Sequence, residues 1–97
     1  MIIVHDIFNC KPGNASKVAK LFKEVMSANP EFVNIMTDLT GDFNKVVMVT
    51  KYDSLSAYEQ NFQKYMTDSE EMKTMKEKMK GYTELYLTGS REIYNIL

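Results

Sequence analysis

Ninety-seven residues, 1–97, make one domain, enough for a single buried core and too few for two. Twelve basic against 13 acidic residues leave a net charge of -1, which removes the electrostatic case for nucleic acid. A lone cysteine, Cys10, excludes an internal disulfide and suits a reducing cytoplasm, and no apolar run nears the roughly 20 residues of a membrane span.

The chain opens on IIVHDIFNC, Ile2 to Cys10, which is β-rich and has no basic region or small-residue cleavage site before it, so it reads as a first strand and not as a signal peptide. Lys11-Pro12-Gly13 breaks it. Val18, Leu21, Phe22, Val25 and Met26 then fall at i, i+3, i+4, i+7 and i+8, the stripe of an amphipathic helix that Asn29-Pro30 closes. Phe32 to Leu39 alternates as a strand, and Thr40-Gly41-Asp42 turns it back into FNKVVMVTKYDSL. A helix begins at about Leu55, with Ser56 and Glu59 at capping-box spacing and Asp53 or Ser54 as competing caps. Leu55, Tyr58, Phe62, Tyr65 and Met66 share one of its faces, and Thr67-Asp68-Ser69 breaks it. A second helical segment starts with Glu70 and Glu71, carries its lysines late and stops at Gly81. Tyr82 to Thr88 is the last strand, with Arg91 to Leu97 extended beyond Gly89-Ser90.

The order β-α-β-β-α-β, with the second helix in two pieces, predicts a ferredoxin-like α+β fold, a four-stranded antiparallel sheet with helices on one face. From Val46 to Val49 the residues are apolar without interruption. An antiparallel strand with one face in water alternates instead, so the second face of this sheet wants a cover. A partner subunit is the simplest one, and a homodimer through the open sheet face is expected.

Residue by residue, the chemistry is thin. His5, the single histidine, could be a general base, but a lone histidine without an identifiable partner is more often a hydrogen-bonded strand residue. One histidine and one cysteine, with no HxxxH or CxxC spacing, make a metal site improbable, and no cofactor motif exists. Cys10 beside Lys11 could be reactive, though burial is the commoner fate of cysteine. Lys11 to Asn14 could hold an anion at a helix start, but a tight turn explains its glycine. Met72, Met75 and Met79 read as core or subunit contact.

A pocket is the remaining candidate. With Val33, Ile35, Val47, Val49, Leu85 and Leu87 turned to the helices, the opposite faces carry Asn34, Met36, Asp38, Met48, Thr50, Glu84 and Tyr86. In one of two phases of the first strand they also carry His5 and Asn9. Polar groups among apolar ones are the lining of a small-molecule site, and equally of a filled interface.

KPG before an amphipathic helix, the TDLTGDFN turn, NKVVMVTKYDSL and the AYEQNFQKYMTD helix resemble the dimeric α/β barrel superfamily over essentially the whole chain. NIPSNAP-type and antibiotic-biosynthesis monooxygenase-type domains are the nearest types. The resemblance implies two sheets packed face to face in a barrel. NIPSNAP-like chains often place histidine and tryptophan where Met48 and Thr50 stand here, and haem degradation uses a late tryptophan and histidine that this chain lacks. For function, the lack of a nucleophile–base pair, metal set or cofactor motif favours a small-molecule-binding protein of this type without catalysis, whereas the resemblance motivates an enzyme. The alternative is a cofactor-independent monooxygenase or isomerase-like enzyme acting on a small aromatic or quinone-like ligand, with His5, Asn34, Asp38 and Tyr86 handling protons or orienting it.

Overall fold

The computed structural model describes residues 1–41, 43–64 and 70–97, the side chain of Glu71 aside. In chain order it has β1 (Ile2–Cys10), α1 (Ala15–Met26), β2 (Phe32–Thr37), β3 (Lys45–Tyr52), α2 (Leu55–Lys64), α3 (Glu70–Lys78), a 3₁₀ turn (Tyr82–Glu84) and β4 (Tyr86–Asn95). The strands make one antiparallel sheet in the order β2-β3-β1-β4, the ferredoxin-like α+β arrangement the sequence predicts. Asp42 of the expected turn, Tyr65 and Met66 of the α2 stripe, and the expected break at residues 67–69 lie outside the described residues.

Local chemistry accounts for the joints. Asn14 donates its backbone N–H to the Lys11 carbonyl at 3.0 Å, and Gly13, at φ +84°, takes the left-handed position that this proline-glycine turn requires. Of the competing caps for α2, Ser54 is the one used, its Oγ accepting the Ala57 N–H at 3.1 Å. Gly81, at φ +82°, ends the α3 segment as expected. The chain does not go straight into a strand there. The Tyr82 N–H returns to the Met79 carbonyl, a 3₁₀ turn intervenes, and β4 starts at Tyr86. It then runs through Gly89-Ser90 without a break, Gly89 pairing with Phe8 and Ser90 with Ile7 of β1.

The α1 stripe packs as its spacing predicts: Val18 and Phe22 join Cys10 and Val46 in a buried cluster that Phe8, Ile35, Met48, Met79 and Tyr86 enclose. A second cluster, Ile2, Val4 and Tyr52, lies under Ala57 and Tyr58 of α2. Even-numbered residues of β1 therefore face the helices, and His5 and Asn9 take the other face. Register carries that phase into β3: Val4 pairs with Thr50, Asp6 with Met48 and Phe8 with Val46. Met48 and Thr50 are thus on the helix side and Val47 and Val49 on the open side, the reverse of the expected phase. The apolar run Val46 to Val49 holds no phase signal of its own, so β1 sets it.

Candidate functional site

The open face of the sheet carries Ile3 opposite Lys51, His5 opposite Val49 and Ile7 opposite Val47, with Met36 and Tyr94 on the outer strands. Ile3, Ile7, Val47 and Met36 belong to neither buried cluster. Met36 is 41% exposed and Tyr94 48%. Two polar pairs lie on this face. Asn9 Nδ2 donates to Thr88 Oγ1 at 3.0 Å, and the Tyr94 hydroxyl donates to Glu92 Oε1 at 2.8 Å. That second bond raises the Tyr94 phenol above its ordinary range. The His5 ring meets the Tyr94 ring edge-on, centroids 5.5 Å apart.

The helix side is different in kind. α2 has no fully buried residue. A cleft runs along each of its flanks. One, about 810 Å³ and open to solvent, lies between α2 and the β2–β3 edge, with Phe32 and Tyr52 as its aromatic wall and Gln60, Asn61, Lys51 and Lys64 as polar groups. The other, about 300 Å³, is lined by Leu55, Tyr58, Glu59, Phe62 and Arg91. In each, the α2 contributors recur at helical spacing: Ala57, Gln60, Asn61 and Lys64 on one flank, Leu55, Tyr58, Glu59 and Phe62 on the other.

Arg91 stands at the centre of the smaller cleft. It pairs across the sheet with Asp6 on the helix side, and its Nε donates to Asp6 Oδ1. Its Cζ lies 5.8 Å from the Tyr58 ring centroid and 5.8 Å from that of Phe62, one helical turn further on. Partial burial works against the guanidinium charge, but the hydrogen bond and charge of Asp6 outweigh it, and Arg91 is held above its ordinary range. Asp6 itself is buried, at 8% exposure.

The expected pocket residues do not gather in one place. His5, Asn9 and Asn34 lie on the open face. Asp38 closes the β2–β3 hairpin, its Oδ1 accepting the Lys45 N–H at 2.9 Å. Met48, Thr50 and Tyr86 turn to the helix layer, where Thr50 is buried and Tyr86 stacks with Phe8 and Tyr82. Glu84 sits exposed in the 3₁₀ turn and not on a strand face. Cys10 is buried, and burial pushes its thiol up, away from reactivity. Arg91 and the aromatic pair Tyr58 and Phe62 were not legible as a site. The signal was Asp6: in the β1 phase that buries Val4 it must go under the helices, and a buried carboxylate needs a cation.

Fold and site together define a ferredoxin-like α+β protein with one open sheet face and a cleft-flanked helix on the other. The NIPSNAP family model matches residues 6–85, and the chain belongs to that family. Its fold is similar to that of an uncharacterized NIPSNAP domain protein from Burkholderia xenovorans, with a TM-score of 0.79 at 11% identity over 100% of this chain and 95% of that one. It is similar also to a NIPSNAP family protein from Agrobacterium tumefaciens, at TM-score 0.75 and 14% identity over 97% and 90% of the two chains. A putative antibiotic biosynthesis monooxygenase from Deinococcus radiodurans shares the fold at TM-score 0.62 and 12% identity, over 99% and 92%. No curated protein matches the sequence. Among the described residues no helix is long and apolar enough to cross a membrane, and no three histidine, cysteine or acidic side chains group as a metal site.

Proposed function

We propose that this NIPSNAP-family chain works in the cytoplasm as a homodimer closed through its open sheet face, and that it binds a small molecule beside α2 without catalysing a reaction. The contrast between the two faces of the sheet carries this reading. The open face has an apolar centre of Ile3, Ile7, Val47 and Val49, with Asn9 paired to Thr88 and Tyr94 to Glu92 beside it, which suits a subunit interface. Leu39 and Phe43, 98% and 89% exposed at the ends of the β2–β3 connection, extend the apolar surface that a second copy would cover. The concavities lie on the other side, and the larger, at about 810 Å³, is of ligand size with a mixed lining. A lone buried thiol supports the cytoplasmic placement.

A cofactor-independent monooxygenase is the second reading. Its support is the shared fold with the Deinococcus radiodurans protein, a likeness that speaks to fold alone at 12% identity.

Light scattering on the eluting protein tests the dimer. At micromolar concentration the mass is expected at twice the 11.2 kDa of the chain. Ile7→Lys, which puts a charge in the centre of the open face, is expected to give the single-chain mass with an unchanged circular dichroism spectrum. A wild-type protein that elutes at 11.2 kDa overturns the interface.

A further inference from the structure

We propose that the smaller cleft, between α2 and β4, is a second binding site, for a small uncharged aromatic molecule with a carbonyl or amide oxygen, which Arg91 recognises. This goes beyond the reading above, because the cleft lies on the helix side of the sheet, away from the open face, and on the opposite flank of α2 from the larger cavity.

Three observations converge on it. The first is an excess of apolar surface around a charge. Leu55 is 59% exposed, Phe62 46% and Ile93 41%, and all three lie beside Arg91 on α2 or β4. The second is the unused hydrogen-bonding capacity of the guanidinium. Among the described residues its one hydrogen bond is from Nε to Asp6, so the terminal Nη groups retain their donors. The group is also fixed, by Asp6 on one side and the Tyr58 and Phe62 rings on the other, so a ligand need not order it. The third is the charge count, which selects the ligand. Asp6 cancels Arg91, and Glu59 adds a negative charge at the cleft. The attraction of Arg91 for a carboxylate or phosphate is therefore weakened, whereas a neutral carbonyl oxygen accepts an Nη–H without that penalty. A flat ring supplies the surface that Leu55 and Phe62 lack, and about 300 Å³ accommodates one or two fused rings.

Benzamide, benzoate and toluene are the probes, each titrated at millimolar concentration into the ¹⁵N-labelled full chain and followed by amide chemical shifts. Benzamide is expected to move the resonances of residues 55–62 and 91–93 saturably, and more strongly than either other compound. Arg91→Lys keeps a cation for Asp6 but removes the planar donor fork, and is expected to weaken benzamide about tenfold, the loss of one charge-assisted hydrogen bond. Phe62→Leu, a milder change on an exposed position, is expected to weaken benzamide and toluene alike while leaving the rest of the spectrum in place. Benzoate binding more tightly than benzamide would make this an anion site and overturn the assignment. So would equal binding of toluene, an unaltered benzamide affinity in Arg91→Lys, or no shift at these residues. None of these outcomes depends on the subunit mass, so the site and the dimer stand or fall separately.

Discussion

A carboxylate at Asp6 in the middle of a buried strand face is costly unless a cation meets it. Its neighbours on that face, Val4 and Phe8, are core residues, and Asp6 itself is 8% exposed. Arg91 makes the position tolerable by supplying both a hydrogen bond and a compensating charge. Removing the cation alone should therefore cost more than removing both partners. Arg91→Met is expected to destabilise the protein by about 2 kcal/mol, less than for a fully buried pair because the Arg91 side chain is 47% exposed. Asp6→Leu combined with Arg91→Met is expected to recover most of that loss, since two apolar side chains then meet where two charges met. Urea unfolding of the single and double variants decides it; a double variant as unstable as the single would mean that the pair contributes net stability of its own. Asp6 also shows what residue-scale reading misses. A charge that one phase of the first strand turns to the helices leaves that phase open, and a partner 85 residues away resolves it.

At the scale of elements, the sheet holds the molecule together and α2 is its least committed part. The helix α1 drives Val18, Phe22 and Met26 into the core, while α2 has no fully buried residue and reaches the sheet mainly through Ala57 and Tyr58. Its one side-chain cap is Ser54. Without strong packing, such a helix depends more on its cap, so Ser54→Ala is expected to speed amide hydrogen exchange at residues 57–60 by about fivefold, the equivalent of about 1 kcal/mol, and to leave α1 unchanged. Equal acceleration in both helices would show that α2 opens only with the whole fold. Helices were legible because a 3.6-residue stripe and a cap are local signals, which is why α1 and the start of α2 fell where the sequence put them. The onset of β4 was not, because Tyr82 to Leu85 has strand composition and only tertiary bonds, such as Lys11 N–H to the Leu85 carbonyl, decide where pairing begins. Gly89-Ser90 misled for the same reason: a glycine reads as a break unless the strand it pairs with is known.

For the whole molecule, the architecture was legible and the site was not. Element order specifies a ferredoxin-like sheet almost alone, whereas the clefts beside α2 depend on how far a helix stands off the strands, which no spacing encodes. The same packing has a consequence for pH. Burial raises the thiol of Cys10 above its ordinary value of 9.0, and burial raises the phenols of Tyr58 and Tyr82 above 10.0, Arg91 opposing it at Tyr58 and Tyr86 adding to it at Tyr82. All three are neutral when protonated, and all three bind their proton more tightly folded than unfolded. Their contribution to stability is therefore complete below the unfolded values and is lost as pH rises through the folded ones. The melting temperature is expected to hold level, as far as these groups decide it, up to about pH 8.5 and to fall steadily above pH 9. Both buried clusters take part, since Cys10 and Tyr82 lie with α1 and Tyr58 with α2. Cys10→Ala removes the lowest of the three titrations and should delay the onset of the decline, while lowering the melting temperature at neutral pH through the small cavity it leaves. Scanning calorimetry from pH 7 to pH 11 on both proteins measures it directly. A melting temperature that stays constant to pH 10.5 in the wild type would mean that these three groups reach solvent without unfolding, and that both clusters are looser than their burial implies.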